Sequence, residues 1–154
     1  MKYPQPLVPL HLGLLHDNYE RSKMDYGDLI QEGWNLTKDA RTAESIFRAA
    51  VFNVLAHNRD DHSKNFAFLM DRKGTWQFAP SYDLTFSTSS MGEHSTTCAG
   101  NGRNPGEKEL LELGKYFSIK QAHTIINQVK MAVGKWSVFA KDSGVTSQSK
   151  NSIE

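Results

Sequence analysis

Ala56-His57-Asn58-Arg59-Asp60-Asp61-His62-Ser63-Lys64-Asn65 is dense in ionisable and amide side chains, yet apolar runs flank it on both sides. Ile46-Phe47-Arg48-Ala49-Ala50-Val51-Phe52-Asn53-Val54-Leu55 precedes it, and Phe66-Ala67-Phe68-Leu69-Met70 follows. A polar loop pinned between two buried elements is where a scaffold holds functional groups.

Upstream, residues 39–57 predict the strongest helix in the chain. Ala43, Ile46, Phe47, Ala50, Val51, Val54 and Leu55 recur at three- and four-residue steps, and Thr37 or Asp39 can cap the start. A shorter helix is expected from Asp25, ending near Gly33. Downstream, Phe66–Met70 and Trp76–Ala79 are two apolar runs around Asp71-Arg72-Lys73-Gly74, a hairpin signal. Pro80 stops the second strand, and Tyr82-Asp83-Leu84 follows. Residues 85–106 are rich in Ser, Thr and Gly and read as a long, mobile segment, with Gly100 to Gly106 as a flexible turn. A helix is expected over Glu107–Leu113, closed by Gly114. Ser118-Ile119-Lys120-Gln121 has capping-box spacing and opens a long amphipathic helix through Ala122, Ile125, Ile126, Val129, Val133, Trp136 and Phe139.

Three units follow: a proline-rich lead-in over residues 1–18, a folded lobe over 19–141, and a polar, disordered tail over 142–154. At most two strands are countable, so the fold class is mainly α (α+β), packed helices with a small two-stranded hairpin beside the polar loop. The chain has 154 residues, 38% of them hydrophobic and 23% charged, enough for one domain with a real core. A net charge of +1 gives no field to attract nucleic acid or an anionic membrane. No apolar run approaches membrane-span length, and the single Cys98 fits a reducing compartment. The expectation is a soluble cytoplasmic protein.

Asp60, then Asn65 five residues on, then Asp83 beyond a hairpin, is the order found in kinase-type phosphoryl transfer. That chemistry needs a carboxylate to orient the acceptor hydroxyl and take its proton, a role that suits Asp60. It also needs hard oxygen ligands for magnesium, which suits Asn65 and Asp83. Arg59-Asp60 matches the Arg-Asp pair of kinase catalytic loops. Lys64 can reach a phosphate as a point charge, or be a solvated lysine. His62 can hydrogen-bond near a nucleotide, or close the loop. His94, in Gly92-Glu93-His94-Ser95-Thr96, is a substrate-facing group or an ordinary loop residue. Plain turn chemistry accounts for any one of these residues alone. A metal hydrolase using His57, Asp60, Asp61, His62 and Asp83 is a weaker alternative, because it gives Asn65 no task. Cys98 has no activating neighbour.

Asp60-Asp61-His62-Ser63-Lys64-Asn65 with Phe78-Ala79-Pro80-Ser81-Tyr82-Asp83-Leu84 resembles the C-terminal domain of HipA-type serine/threonine kinases, toxins of bacterial type II toxin–antitoxin modules. The likeness extends through Gly92-Glu93-His94-Ser95-Thr96 and Gly102 to Gly106 towards Trp136. It implies a helical kinase C-lobe with Asp60 as catalytic base and Asn65 and Asp83 as Mg2+ ligands. It implies ATP as phosphate donor, and as acceptor a protein serine such as one on an aminoacyl-tRNA synthetase; His62 and Lys64, on their own chemistry, are the added candidates for the nucleotide side. The implied partner is a DNA-binding antitoxin, with no direct nucleic-acid or membrane contact. Family members carry an N-terminal lobe with a phosphate-covering loop and a lysine, and neither pattern precedes residue 39. The lead-in therefore reads as a junction to that lobe. The alternative is a non-catalytic remnant or interaction module that binds an antitoxin or another protein.

Overall fold

The computed structural model describes residues 8–11, 24–89 and 92–153. Helix α2 (Ala40–Leu55) is the central element and touches α1 (Tyr26–Thr37), α3 (Glu107–Tyr116), α4 (Ala122–Val133) and strand β3 (Trp76–Phe78). Asp39 caps α2 by accepting from the Arg41 amide, and Ile46, Phe47, Ala50, Val51 and Val54 fill the core. Ala43 and Leu55 are only partly buried. Asp25 caps α1 by accepting from the Gly27 amide, while Asp28 returns a bond to the Asp25 amide.

The sheet is antiparallel, in the order β1-β2-β3, with β1 at Val8–His11 and β2 at Ala67–Met70. The hairpin β2-β3 is the one expected from Gly74, which sits in the left-handed region at φ +80°. The third strand was not expected. Residues 8–11 of the lead-in pair with β2, and Pro9 stands opposite Leu69. Ala67 accepts from Ala79 on the β3 side, so Leu69 also turns its peptide groups towards β3. Pro9 thus faces a non-hydrogen-bonded position on an edge strand, where its missing N–H costs the ladder nothing. The rest of the lead-in lies outside the described residues.

Two glycines expected to end helices lie inside them. α1 runs past Gly33 to a left-handed cap at Lys38, and α3 runs past Gly114 to Tyr116. A Cβ on Gly33 would stand 2.6 Å from Ile46 Cδ1, and one on Gly114 would stand 2.7 Å from Ala122 Cβ. Both are contact points between helices rather than stops. The capping box at Ser118 does not form either. α4 begins after Gln121 without a side-chain cap, and Ser118 takes φ +54°. The long helix expected from there is broken at Gly134-Lys135 into α4 and α5 (Trp136–Asp142), leaving Phe139 exposed. Beyond Asp142, where composition predicts disorder, Ser147–Ile153 forms a short helix, α6, and Thr146 Oγ1 accepts from the Ser149 amide at its start.

Gly114→Val should therefore lower stability in urea melts. Overpacking against Ala122 and Phe47 costs about 1–3 kcal/mol. An unchanged or raised midpoint would contradict the close helix contact.

Candidate active site

The polar loop is launched by a turn that α2 itself builds. Ala56 caps the helix and His57 takes a left-handed φ of +51°. The His57 amide then donates to the Val54 carbonyl at 3.4 Å, and the Asn58 amide to the Asn53 carbonyl at 2.9 Å. These are the paired bonds of a Schellman turn. They bury Asn58 (1% exposed) under the end of the helix. Desolvation holds the His57 imidazole below its ordinary pKa, helped by the charges of Arg59 and His94.

Adjacent residues in an extended loop point to opposite sides, and that separates the two aspartates. Asp61 is fully buried and collects donors from two distant stretches of the chain. Its Oδ2 accepts from Tyr26 Oη at 2.6 Å and lies 2.8 Å from His94 Nδ1. Its Oδ1 accepts from the amides of Ser95 at 2.9 Å and Thr96 at 3.1 Å. Thr96 Oγ1 donates to the Asp61 carbonyl, and the Ser95 amide to the Arg59 carbonyl. Burial, with the Asp61 carboxylate beside it, pushes the Tyr26 phenol well above its ordinary range, so it stays a donor. Asn53 Nδ2 donates to Tyr26 Oη at 3.0 Å, and Asn58 Nδ2 donates to Asn53 Oδ1 at 3.0 Å. His94 is thus neither substrate-facing nor an ordinary loop residue. It is buried beneath the loop.

Asp60 faces the other way. Its side chain is 60% exposed, with His62 Nε2 at 3.9 Å from its Oδ1. Ser63–Asn65 makes one 3-10 turn, which brings Asn65 back so that its Nδ2 donates to the Asp60 carbonyl at 2.9 Å. With the amide nitrogen committed, Asn65 Oδ1 is left to act as a ligand. Lys64 is exposed, and its carbonyl accepts from Tyr82 Oη. Asp83 is exposed at φ +54°, and its carbonyl accepts from Asn58 Nδ2 at 3.2 Å. Ser87 bridges His57 and Arg59 through backbone bonds, so the segment after Asp83 lies along the loop.

The oxygens of Asn65 and Asp83 are hard donors that suit a magnesium ion keeping several of its waters. The five-residue hydrolase set does not assemble. Among the described residues no three His, Cys, Asp or Glu side chains gather as metal ligands, and Asp61 is spent on hydrogen bonds. A cavity of about 580 Å³ lies between α2, β3 and α4, is lined by Phe52, Phe78 and Val129, and reaches Leu84 beside Asp83. Cys98 is buried, and desolvation pushes its thiol up to about 12, which leaves it unreactive. The segment 94–101, expected to be mobile, is pinned to Asp61 and to Asp25, which accepts from Thr97 Oγ1 and the Gly100 amide.

Sequence reasoning missed Tyr26, Asn53, Asn58 and His94 as parts of one network with Asp61. The available signal was polar residues at positions of an apolar helix that face the core, Asn53 above all.

A family model described as the HipA-like C-terminal domain matches residues 10–136. A protein of Sinorhizobium fredii (strain NBRC 101917 / NGR234), named putative kinase Y4mE, is 31% identical over 109 residues, covering 69% of this chain and 21% of that protein. A chain of the Shewanella oneidensis MR-1 complex of HipA, HipB and operator DNA superposes with a TM-score of 0.64 at 15% identity, covering 84% of this chain and 32% of that one. The chain thus spans about a fifth and a third of the lengths of these two relatives. The second likeness is one of fold, a kinase-like lobe. The loop after α2, the hairpin that follows it and the helices around them all fall inside the matched region, and the chain belongs to the HipA-like C-terminal domain family.

Proposed function

We propose that this domain is the catalytic lobe of a serine/threonine protein kinase, acting together with an N-terminal lobe. It would transfer the terminal phosphoryl group of ATP to a protein serine. The observation that carries the reading is the division of labour between two adjacent aspartates. Asp61 is consumed by buried donors, while the Asp60 carboxylate stands exposed above them. Asp60 orients the acceptor hydroxyl and takes its proton as the oxygen bonds to phosphorus. Asn65 and Asp83 hold magnesium, which supplies charge neutralisation at the nucleotide phosphates. Lys64 brings a positive charge to the nucleotide side, and His62 stands beside Asp60 to restrain its carboxylate.

The biological setting is part of the same proposal. The protein acts in a bacterial cytoplasm as the toxin of a toxin–antitoxin module. Its partner is a DNA-binding antitoxin, and its acceptor is a serine on a translation factor such as an aminoacyl-tRNA synthetase. Support comes from the Shewanella HipA complex with HipB and operator DNA and from the kinase-named relative. No helix among the described residues is long and apolar enough to cross a membrane.

Two neighbouring substitutions should give opposite outcomes. Asp60→Ala should keep the wild-type melting temperature and, in a kinase assay supplemented with a family N-terminal lobe, lose about two to four powers of ten in rate. Asp61→Asn should instead destabilise the fold by roughly 3–5 kcal/mol, because a buried acceptor of four donors loses its charge. Full activity of the Asp60 variant would refute the catalytic assignment. Partner binding without transfer in any arrangement would leave the non-catalytic interaction module standing.

A further inference from the structure

We infer that Asn58 is a positioning residue for Asp83. Its buried amide clamps the Asp83 backbone and so sets the direction from which that carboxylate meets a divalent cation. The inference rests on the reading of Asp83 as a metal ligand and adds to it a side chain that would touch neither metal nor substrate.

Asn58 uses both hydrogens of its amide nitrogen. One goes to Asn53 Oδ1 at 3.0 Å and the other to the Asp83 carbonyl at 3.2 Å. Its own Oδ1 is buried and has no partner among the described residues. The side chain is thus held for what it donates, even with an acceptor left unmet. The Schellman turn at the end of α2 fixes the backbone beneath it, through the Asn58 amide on the Asn53 carbonyl.

The clamp acts where the backbone is unusual. The φ of Asp83, +54°, lies in the left-handed region, which aspartate enters more readily than most residues but still at a cost that its surroundings offset. The surroundings here are two ties. Asn58 takes the Asp83 carbonyl, and further on Ser87 donates to the His57 carbonyl at 3.1 Å and accepts from the Arg59 amide at 3.3 Å. Both ends of the segment are thereby fastened to residues 57–59. Backbone conformation sets the Cα–Cβ direction, so the aim of the Asp83 carboxylate follows from these ties. The same amide continues through Asn53 and Tyr26 to Asp61, next to Asp60. One buried chain of hydrogen bonds therefore reaches both halves of the site, which arrive from separate stretches of sequence.

The test uses Mn2+ alone as probe and follows paramagnetic broadening of backbone amides of the chain. In the wild type, signals around Asn65 and Asp83 should broaden together on titration, and Asp83→Asn should abolish the effect. Asn58→Ala should weaken Mn2+ binding roughly 10–100-fold, the usual loss when a ligand's supporting hydrogen bond is removed. A core variant, Ile46→Val, should lower the melting temperature and leave Mn2+ affinity alone, which separates positioning from general destabilisation. A second measurement needs no variant: titrating wild-type protein with Mg2+ should shift the Asn58 side-chain amide signal together with that of Asp83. Wild-type Mn2+ affinity in Asn58→Ala, or an Asn58 signal indifferent to Mg2+, would overturn the inference. Wild-type signals untouched by Mn2+ would remove the metal assignment of Asp83, and the inference with it.

Discussion

A carboxylate taken wholly out of water must be met by donors, and Asp61 is met by four of them. Burial of an ion costs several kcal/mol unless its lone pairs are satisfied, so the fold around Asp61 has little freedom in how it closes. Tyr26 must come from the start of α1, and His94, Ser95 and Thr96 from the irregular segment after the hairpin. That requirement explains how a segment poor in large apolar side chains is ordered at all. It is seated by hydrogen bonds to a charge, with Asp25 performing a lesser version of the same task at Thr97 and Gly100.

The consequence for chemistry is geometric. With Asp61 anchored below, the next residue back along an extended loop faces out, and Asp60 presents its carboxylate to solvent. A single 3-10 turn returns Asn65 to the Asp60 carbonyl, and the Asp83 carbonyl accepts from the buried Asn58 amide. A site of this kind is preorganised from beneath. The groups that would touch substrate stand exposed or half-buried, and the groups beneath them are buried, polar and hydrogen-bonded to one another.

Much of this architecture is readable in the sequence because it is local. The periodicity of α2 and the hairpin around Gly74 need only neighbours within a few residues, and so does the Asp60–Asn65 spacing. What escapes is long-range. Nothing in a window of residues tells that Asp61 and His94, 33 apart, share a hydrogen bond. Gly33 and Gly114 carry the usual mark of helix ends, yet helix contacts at 2.6 and 2.7 Å from an added Cβ claim them instead. Pro9 reads as a breaker until the ladder shows a position that needs no N–H. In each case a tertiary contact overrides a local preference.

If a buried Asp61 orders the polar loop and the segment across it, the amides that bond to its Oδ1 should report it directly. The measurement is hydrogen exchange at Ser95 and Thr96, compared between wild type and Asp61→Asn under conditions where both are folded. Strong protection in the wild type, lost at those two amides in the variant while the amides of Ala50 and Val51 in α2 stay protected, is the predicted result. Exchange at Ser95 and Thr96 in the wild type as fast as in an open loop would contradict the account.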